Sequence, residues 1–293
     1  MVAFIINPVS GRRGRGTSEG ERRAALARRA LDQYRLDGAV SITSGRGHAR
    51  ELSAHAVANG ADRVVAWGGD GTINEIAGPI IGSRTTLGIV PAGSGDGTAC
   101  SLGLPLSTDR ALDAALSASA DAMDVGFLGD RHFLNIGGIG FDAAVGHAFN
   151  ARRKRGGLGY LTGGLSMAWS YQCLPYQLRL DDEVWAGERF LVVFANGREY
   201  GNHVQIAPGA DPRDGWLDVV AVSGGSFFQQ FWRARRLVVG RDRPAEGIHR
   251  TRVRSASVSG EALICHVDGE TFEAEGTVEV RISPGAIRIA GLE

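Results

Sequence analysis

Hydrophobic positions follow two rhythms along this chain. As far as Asp121, short apolar runs alternate with longer amphipathic stretches; beyond it, short runs follow one another closely. Residues 2–6, 40–43, 64–67 and 87–90 have the length and apolar content of buried strands. Ser18 and Glu21 have capping-box spacing and precede a stripe of Leu26, Ala30 and Tyr34, which predicts a helix. Residues 47–59 read as another helix, closed by Gly60. Strand alternating with helix predicts an α/β domain with a doubly wound, mostly parallel sheet over residues 1–122. In the second half, residues 133–136, 177–180, 189–194, 217–222, 253–258, 262–267 and 278–282 read as strands. Turn pairs separate them at Gly129-Asp130, Asp181-Asp182 and Gly260-Glu261. That pattern predicts an antiparallel β-sandwich domain over 123–282, with 283–293 returning to the first domain. Helical stretches at 142–171 and 226–239 interrupt it.

Composition narrows the function classes. The 293 residues, 43% of them hydrophobic, suffice for two cores of ordinary size. Lys+Arg and Asp+Glu both number 32, so the formal charge is zero and no nucleic-acid partner is indicated. Lys154 is the only lysine, which excludes a Walker-type phosphate loop, since that loop needs a lysine directly after its glycines. The scattered Cys100, Cys173 and Cys265 suit a reducing compartment. No apolar run reaches the ~18 residues of a membrane span, and the first residues lack a secretory-signal pattern. A cytoplasmic protein is therefore expected. The seven histidines show no zinc spacing, and no Gly-x-Gly-x-x-Gly follows a strand.

The candidate chemistry centres on Gly68-Gly69-Asp70-Gly71-Thr72-Ile73-Asn74-Glu75, which follows an apolar strand and opens a helix. Glycines let backbone N–H groups approach an anion closely, and open α/β sheets bind ligands at the carboxyl ends of their strands. A carboxylate placed beside phosphates implies a bridging cation or a proton to remove, which singles out Asp70. Two more loops, residues 7–13 and 93–98, also follow predicted strands, so a parallel sheet would bring all three to one edge. Late in the chain, Asp268 and Glu270 are two apart, and in a strand they would share a face, one helping to hold Mg²⁺ and the other taking a proton. As an isolated Asp-Gly pair, Asp268-Gly269 reads equally as a hairpin tip. Ser226 and Gln229 form a second capping box before Phe227, Phe228, Phe231 and Trp232, followed by Arg233, Arg235, Arg236, Arg241 and Arg243. Packing of that aromatic face on a sheet is its expected role, with contact to an anionic bilayer the alternative.

Taken together, Asn7-Pro8-Val9-Ser10-Gly11, the GGDGTxNE run and Val267-Asp268-Gly269-Glu270 resemble the diacylglycerol kinase catalytic family, bacterial lipid kinases related to sphingosine kinases and more distantly to NAD kinases. The resemblance spans nearly the whole chain in the right order. It implies a nucleotide domain and a β-sandwich domain with ATP and Mg²⁺ between them. By matching positions, Asn7, Pro8, Ser10, Gly11, Arg12, Arg13, Thr43, Gly68, Gly69, Asp70, Gly71, Thr72, Asn74 and Ser94 would line the nucleotide. Glu270 would accept the proton, supported by Asp268, with Asp70 orienting metal or acceptor. Asp211, Asp214 and the Trp216 carbonyl would form a structural Mg²⁺ loop. The implied activity is phosphorylation of diacylglycerol or a related long-chain lipid, with peripheral membrane contact and a homodimer allowed. One departure stands out. Where the family has an aspartate after asparagine, this chain has Gly97, and its acid falls one position early at Asp96. An NAD kinase-like enzyme, or a lipid-binding protein that has lost catalysis, are the alternatives.

Overall fold

The computed structural model describes residues 1–11, 17–144, 171, 173–201, 204–239 and 245–292. Arg12, Arg13, Arg241 and Arg243, and most of the expected helix at 142–171, lie outside them. The chain divides into two compact units, Met1–Val125 with Pro284–Glu293, and Gly126–Ser283.

The first unit contains strands β1 (Val2–Ile6), β2 (Gly38–Ile42), β3 (Arg63–Gly68) and β4 (Thr86–Pro91). They pair in parallel in the order β4-β3-β1-β2. Late in the chain, Arg288 and Ile289 of β13 (Glu270–Ala290) add a parallel partner beside β4. Every residue of β1 and β4 is buried, as a sheet covered on both faces requires. On one face α1 (Thr17–Tyr34) sets Ala24, Ala27, Ala30 and Leu31 against Phe4, Ile6 and Trp67, with α5 (Thr108–Ser117) completing that core. Helices α2 (His48–Ala58) and α3 (Asp70–Ile80) pack on each other, fastened where the buried Ser53 hydroxyl donates to the Ile76 carbonyl at 2.7 Å. The short α4 (Gly97–Ser101) follows β4. Ser18 already lies inside α1, and it is Glu19 that engages Arg22 and Arg23, so the expected Ser18–Glu21 capping box does not start this helix.

The second unit is antiparallel. It holds β6 (Arg131–Phe133), β7 (Ile136–Gly140), β8 (Leu174–Leu180), β9 (Glu183–Ala195), β10 (Leu217–Ser223), β11 (Ile248–Val253) and β12 (Ser255–Val267), the helix α6 (Phe227–Val239) and helical residues 141–144. Strand β5 (Ala120–Leu128) pairs with β6. Two strands each serve two partners in succession: β9 and β12 pair with β8 along one part of their length and with β7 along another. The core runs through Leu178, Val192, Phe194, Val219, Val258, Leu263 and Cys265. Residues 253–258 do not form one strand, because the chain breaks at Arg254, whose N–H, like that of Ser255, is held by the Asp181 carboxylate. Conversely, Gly260-Glu261 is not a turn. It lies within β12 as a register shift opposite Gly276, so an extra residue is absorbed without reversing the chain.

Candidate active site

Because β4, β3 and β1 are adjacent and parallel, the loops that follow them emerge at one edge of the sheet. Glycines bring these loops into backbone contact. A Cβ on Gly69 would lie 3.0 Å from the Gly93 Cα, and one on Gly93 would lie 2.9 Å from the Gly69 Cα. Gly11, at φ 91°, approaches the β4 loop so closely that a Cβ would meet the Ala92 carbonyl oxygen at 2.8 Å. The β1 loop is also tied to α3 and to itself. Asn7 Nδ2 donates to Thr72 Oγ1 at 2.8 Å, and the Val9 N–H donates back to Asn7 Oδ1 at 3.0 Å. Below it, Arg23, only 5% exposed, donates to the carbonyls of Asn7 and Ser10 at 2.8 and 2.9 Å. Glu19 holds that guanidinium at 2.9 Å, and its hydrogen bond to Arg22 leads the effects that lower its carboxyl to about 2.

Asp70 opens α3, and its side chain crosses to the next loop. One carboxylate oxygen accepts the Gly97 N–H at 3.1 Å and the other the Thr98 N–H at 2.8 Å. An acid is thus set on the first amides of α4, where exposed N–H groups favour negative charge. Asp96 precedes α4 in the left-handed region, at φ 47°, and its Oδ1 accepts the Gly93 N–H at 2.6 Å. Burial pushes the Asp96 carboxyl up to about 6, the Gly93 N–H opposes that, and the charge of Asp70 adds to it. Thr98 Oγ1 is buried without a hydrogen-bond partner.

The remaining expected nucleotide contacts in this unit fall around the same edge. Thr43 follows β2 with its N–H on the Ile6 carbonyl, Pro8 and Ser10 lie in the β1 loop, Gly71 and Asn74 in the first turns of α3, and Ser94 is exposed in the β4 loop. Glu75 turns away from them and accepts the Gly47 N–H ahead of α2. Among the described residues no group of three His, Cys, Asp or Glu side chains forms a metal site. Asp70 and Asp96 nevertheless offer the hard oxygen donors that suit Mg²⁺, an ion usually held by one or two carboxylates together with substrate phosphates.

In the second unit, Asp268 and Gly269 form a two-residue turn, with φ of 46° and 85°, between Val267 and its register partner Glu270. This corrects the expectation that Asp268 and Glu270 share one face of a strand: Asp268 is not in a strand. Its carboxylate accepts the N–H groups of Leu134, Asn135 and Ile136 at 2.8, 3.0 and 3.0 Å. Glu270 is the first residue of β13 and is half-buried. In the Asp211 loop, Asp211 accepts the Arg213 N–H at 3.1 Å, and Asp214 accepts the Trp216 N–H at 3.0 Å while pairing with Arg252. The carboxylates expected to hold a structural ion thus each also lie beside an arginine, Asp211 beside Arg213 and Asp214 beside Arg252.

One cluster had no signal in the sequence. Asp142 Oδ2 receives the Tyr200 hydroxyl at 2.7 Å and lies 2.9 Å from Nε2 of the buried His266. Gly138 makes room for it, since a Cβ there would meet His266 Nε2 at 2.5 Å. These residues lie 58 and 124 positions apart, beyond the reach of local spacing.

Comparisons with known proteins match the chain in two parts. Residues 1–128 match the diacylglycerol kinase catalytic domain, and residues 136–291 match the YegS C-terminal NAD kinase beta sandwich-like domain. A probable lipid kinase YegS-like protein of Chromohalobacter salexigens is 40% identical over 63% of this chain and 61% of its own length. A diacylglycerol kinase of Mycobacterium tuberculosis is 29% identical over 98% of this chain and 94% of its own. A probable lipid kinase YegS-like protein of Pseudomonas aeruginosa is 30% identical over 94% and 91%. Among solved structures, a putative diacylglycerol kinase of Bacillus anthracis matches with a TM-score of 0.80 at 22% identity, over 99% of this chain and 96% of that one, which shows a shared fold.

Proposed function

This chain belongs to the diacylglycerol kinase catalytic family of lipid kinases, and we propose from that premise that it transfers the γ-phosphoryl group of ATP to the hydroxyl of diacylglycerol or a related long-chain lipid. The observation that carries the reading is the abutment of three glycine loops beside Asp70. Such a cradle offers backbone N–H donors to a polyphosphate, and a Cβ at Gly69 or Gly93 would drive its β3 and β4 loops apart. Mg²⁺, when bound, would neutralise charge on the transferring phosphate, with Asp70 as its protein ligand and Asp96 beside it. In the reaction the bond from the γ-phosphorus to the bridging oxygen breaks as the bond to the lipid oxygen forms. Glu270 takes the hydroxyl proton, and Asp268 supports it by fixing the backbone of residues 134–136.

A lipid acceptor places the work at a membrane surface, and we assign the protein to the cytoplasm and its inner membrane face. No helix among the described residues is long and apolar enough to cross a membrane. A second reading has one observation in its favour: Asp96 occupies the Gly93 N–H, an amide that a phosphate would otherwise use, as expected of a lipid-binding protein without turnover. Incubation with ATP, Mg²⁺ and diacylglycerol in mixed micelles separates the two. The kinase reading requires phosphorylated lipid, lost on chelation of Mg²⁺; lipid retained without turnover supports the alternative.

A further inference from the structure

Two polar residues of helix α6, Gln230 and Arg233, are held inward. Gln230, 5% exposed, donates from Nε2 to the Gly225 carbonyl at 2.7 Å. Arg233 donates from Nη1 to the carbonyls of Ser223 and Gly224, at 3.1 and 2.8 Å, and from Nε to that of Glu246 at 3.3 Å. These two residues are three apart and fasten one side of the helix to the end of β10. At about 100° per residue, Phe228, Trp232 and Arg235 fall on the opposite side, with Arg236 on its flank. Phe228 is 68% exposed and Trp232 56%, four positions apart. With Val184 at 60% they are the three most exposed large hydrophobic residues described in the protein. Arg235 stands over the Trp232 ring at 5.5 Å, and both Arg235 and Arg236 are exposed. The helix contains no acidic residue, although the chain as a whole is neutral. Two of the aromatics, Phe228 and Trp232, therefore point outward rather than pack on the sheet as expected, while Arg233 is held inward; the side chains of Phe227 and Phe231 lie outside the described residues.

We infer that the Phe228–Trp232–Arg235–Arg236 face of α6 docks on an anionic phospholipid surface. The choice of a bilayer as partner rests on the lipid-kinase reading, and the chemistry of the face agrees with it. Exposed aromatic rings insert at the headgroup and acyl boundary, and guanidinium groups beside them meet lipid phosphates. Charge complementarity selects anionic lipid over zwitterionic lipid.

The test is co-sedimentation of the full chain with phosphatidylcholine vesicles, with and without phosphatidylglycerol, in the absence of ATP. The wild type binds the phosphatidylglycerol vesicles better, and brominated lipid quenches a fraction of its fluorescence that Trp232→Phe removes. The double variant Phe228→Ala/Trp232→Ala loses at least about tenfold in binding. Arg235→Gln/Arg236→Gln loses the preference for phosphatidylglycerol, about fivefold per arginine at low salt. Both variants keep their circular dichroism spectrum and wild-type turnover of a short-chain, water-soluble diacylglycerol. Undiminished vesicle binding by the aromatic variant overturns the inference. So does a wild type that ignores anionic vesicles, or a change from dimer to monomer in the variant with vesicle binding intact, which would make the face an interface between copies of this chain. Vesicle binding by a wild type that phosphorylates no lipid would sustain this inference and defeat the kinase reading instead.

Discussion

Two Asp-Gly pairs, Asp70-Gly71 and Asp268-Gly269, do opposite work with the same residues. Asp70 is the first residue of a helix, and its carboxylate accepts one backbone N–H on each oxygen, from Gly97 and Thr98. Asp268 sits in a left-handed turn, and its carboxylate accepts three N–H groups, from Leu134, Asn135 and Ile136. The first sits on the first amides of α4, beside the glycines at which the β3 and β4 loops meet. The second fixes the backbone that enters β7. The acid of an Asp-Gly pair can thus hold the start of a helix beside glycine loops or clasp the backbone of a neighbouring strand.

Apart from Asp70 itself, the comparison breaks or sharpens at four positions. The largest effect is expected at Glu270, which the Asp268 turn presents at the start of β13: Glu270→Gln lowers kcat about a hundredfold or more, with the thermal midpoint nearly unchanged. Steady-state rates alongside a melting curve check both halves of that statement. Asp268→Ala works the other way. It strands three amides and costs about 3 kcal/mol of stability, read from urea midpoints, while Asp268→Asn recovers part of the loss. Equal losses of activity and stability at Glu270 and Asp268 would erase the distinction.

Third, Gly93→Ala pushes the β3 and β4 loops apart, since its Cβ would lie 2.9 Å from the Gly69 Cα and 2.7 Å from Asp96 Oδ1. The KM for ATP rises about tenfold or more, with little change in the affinity for lipid. The smallest effect is at Asp96. Its native carboxyl is raised from 3.8 to about 6, so the folded protein holds the proton more tightly than the unfolded chain does. Stability therefore falls as pH rises from 3.8 toward 6, and the cost persists above that window. Asp96→Asn removes it and raises the thermal midpoint at neutral pH by a few degrees, with the difference vanishing in acid. A variant less stable than the wild type at neutral pH would contradict this.

What the sequence made legible was local. The strand, glycine turn and helix around Asp70 share one short segment, so their order alone places the loop at a strand end. The amides that receive the Asp70 carboxylate are 27 and 28 residues downstream, and nothing in their spacing announces them. Asp268-Gly269 carried its turn signal openly, but the idea of a shared strand face for Asp268 and Glu270 required a strand that the turn forbids. Gly260 also looked like a turn, yet cross-strand pairing on both sides of it keeps β12 continuous. In α6, composition favoured burying the aromatics; carbonyl oxygens at the end of β10 hold Arg233 inward while Phe228 and Trp232 face out, a tertiary effect that helical periodicity does not encode. The Asp142, His266 and Tyr200 cluster was hidden for the same reason.

The most direct test of the central claim follows label from [γ-³²P]ATP into the organic phase, with diacylglycerol as acceptor, for the wild type and Asp70→Asn side by side. Lipid-borne label that depends on Mg²⁺ and drops about a thousandfold in Asp70→Asn, with both proteins melting together, is the predicted result. Label appearing equally with the two proteins, or never appearing with the wild type, would contradict it.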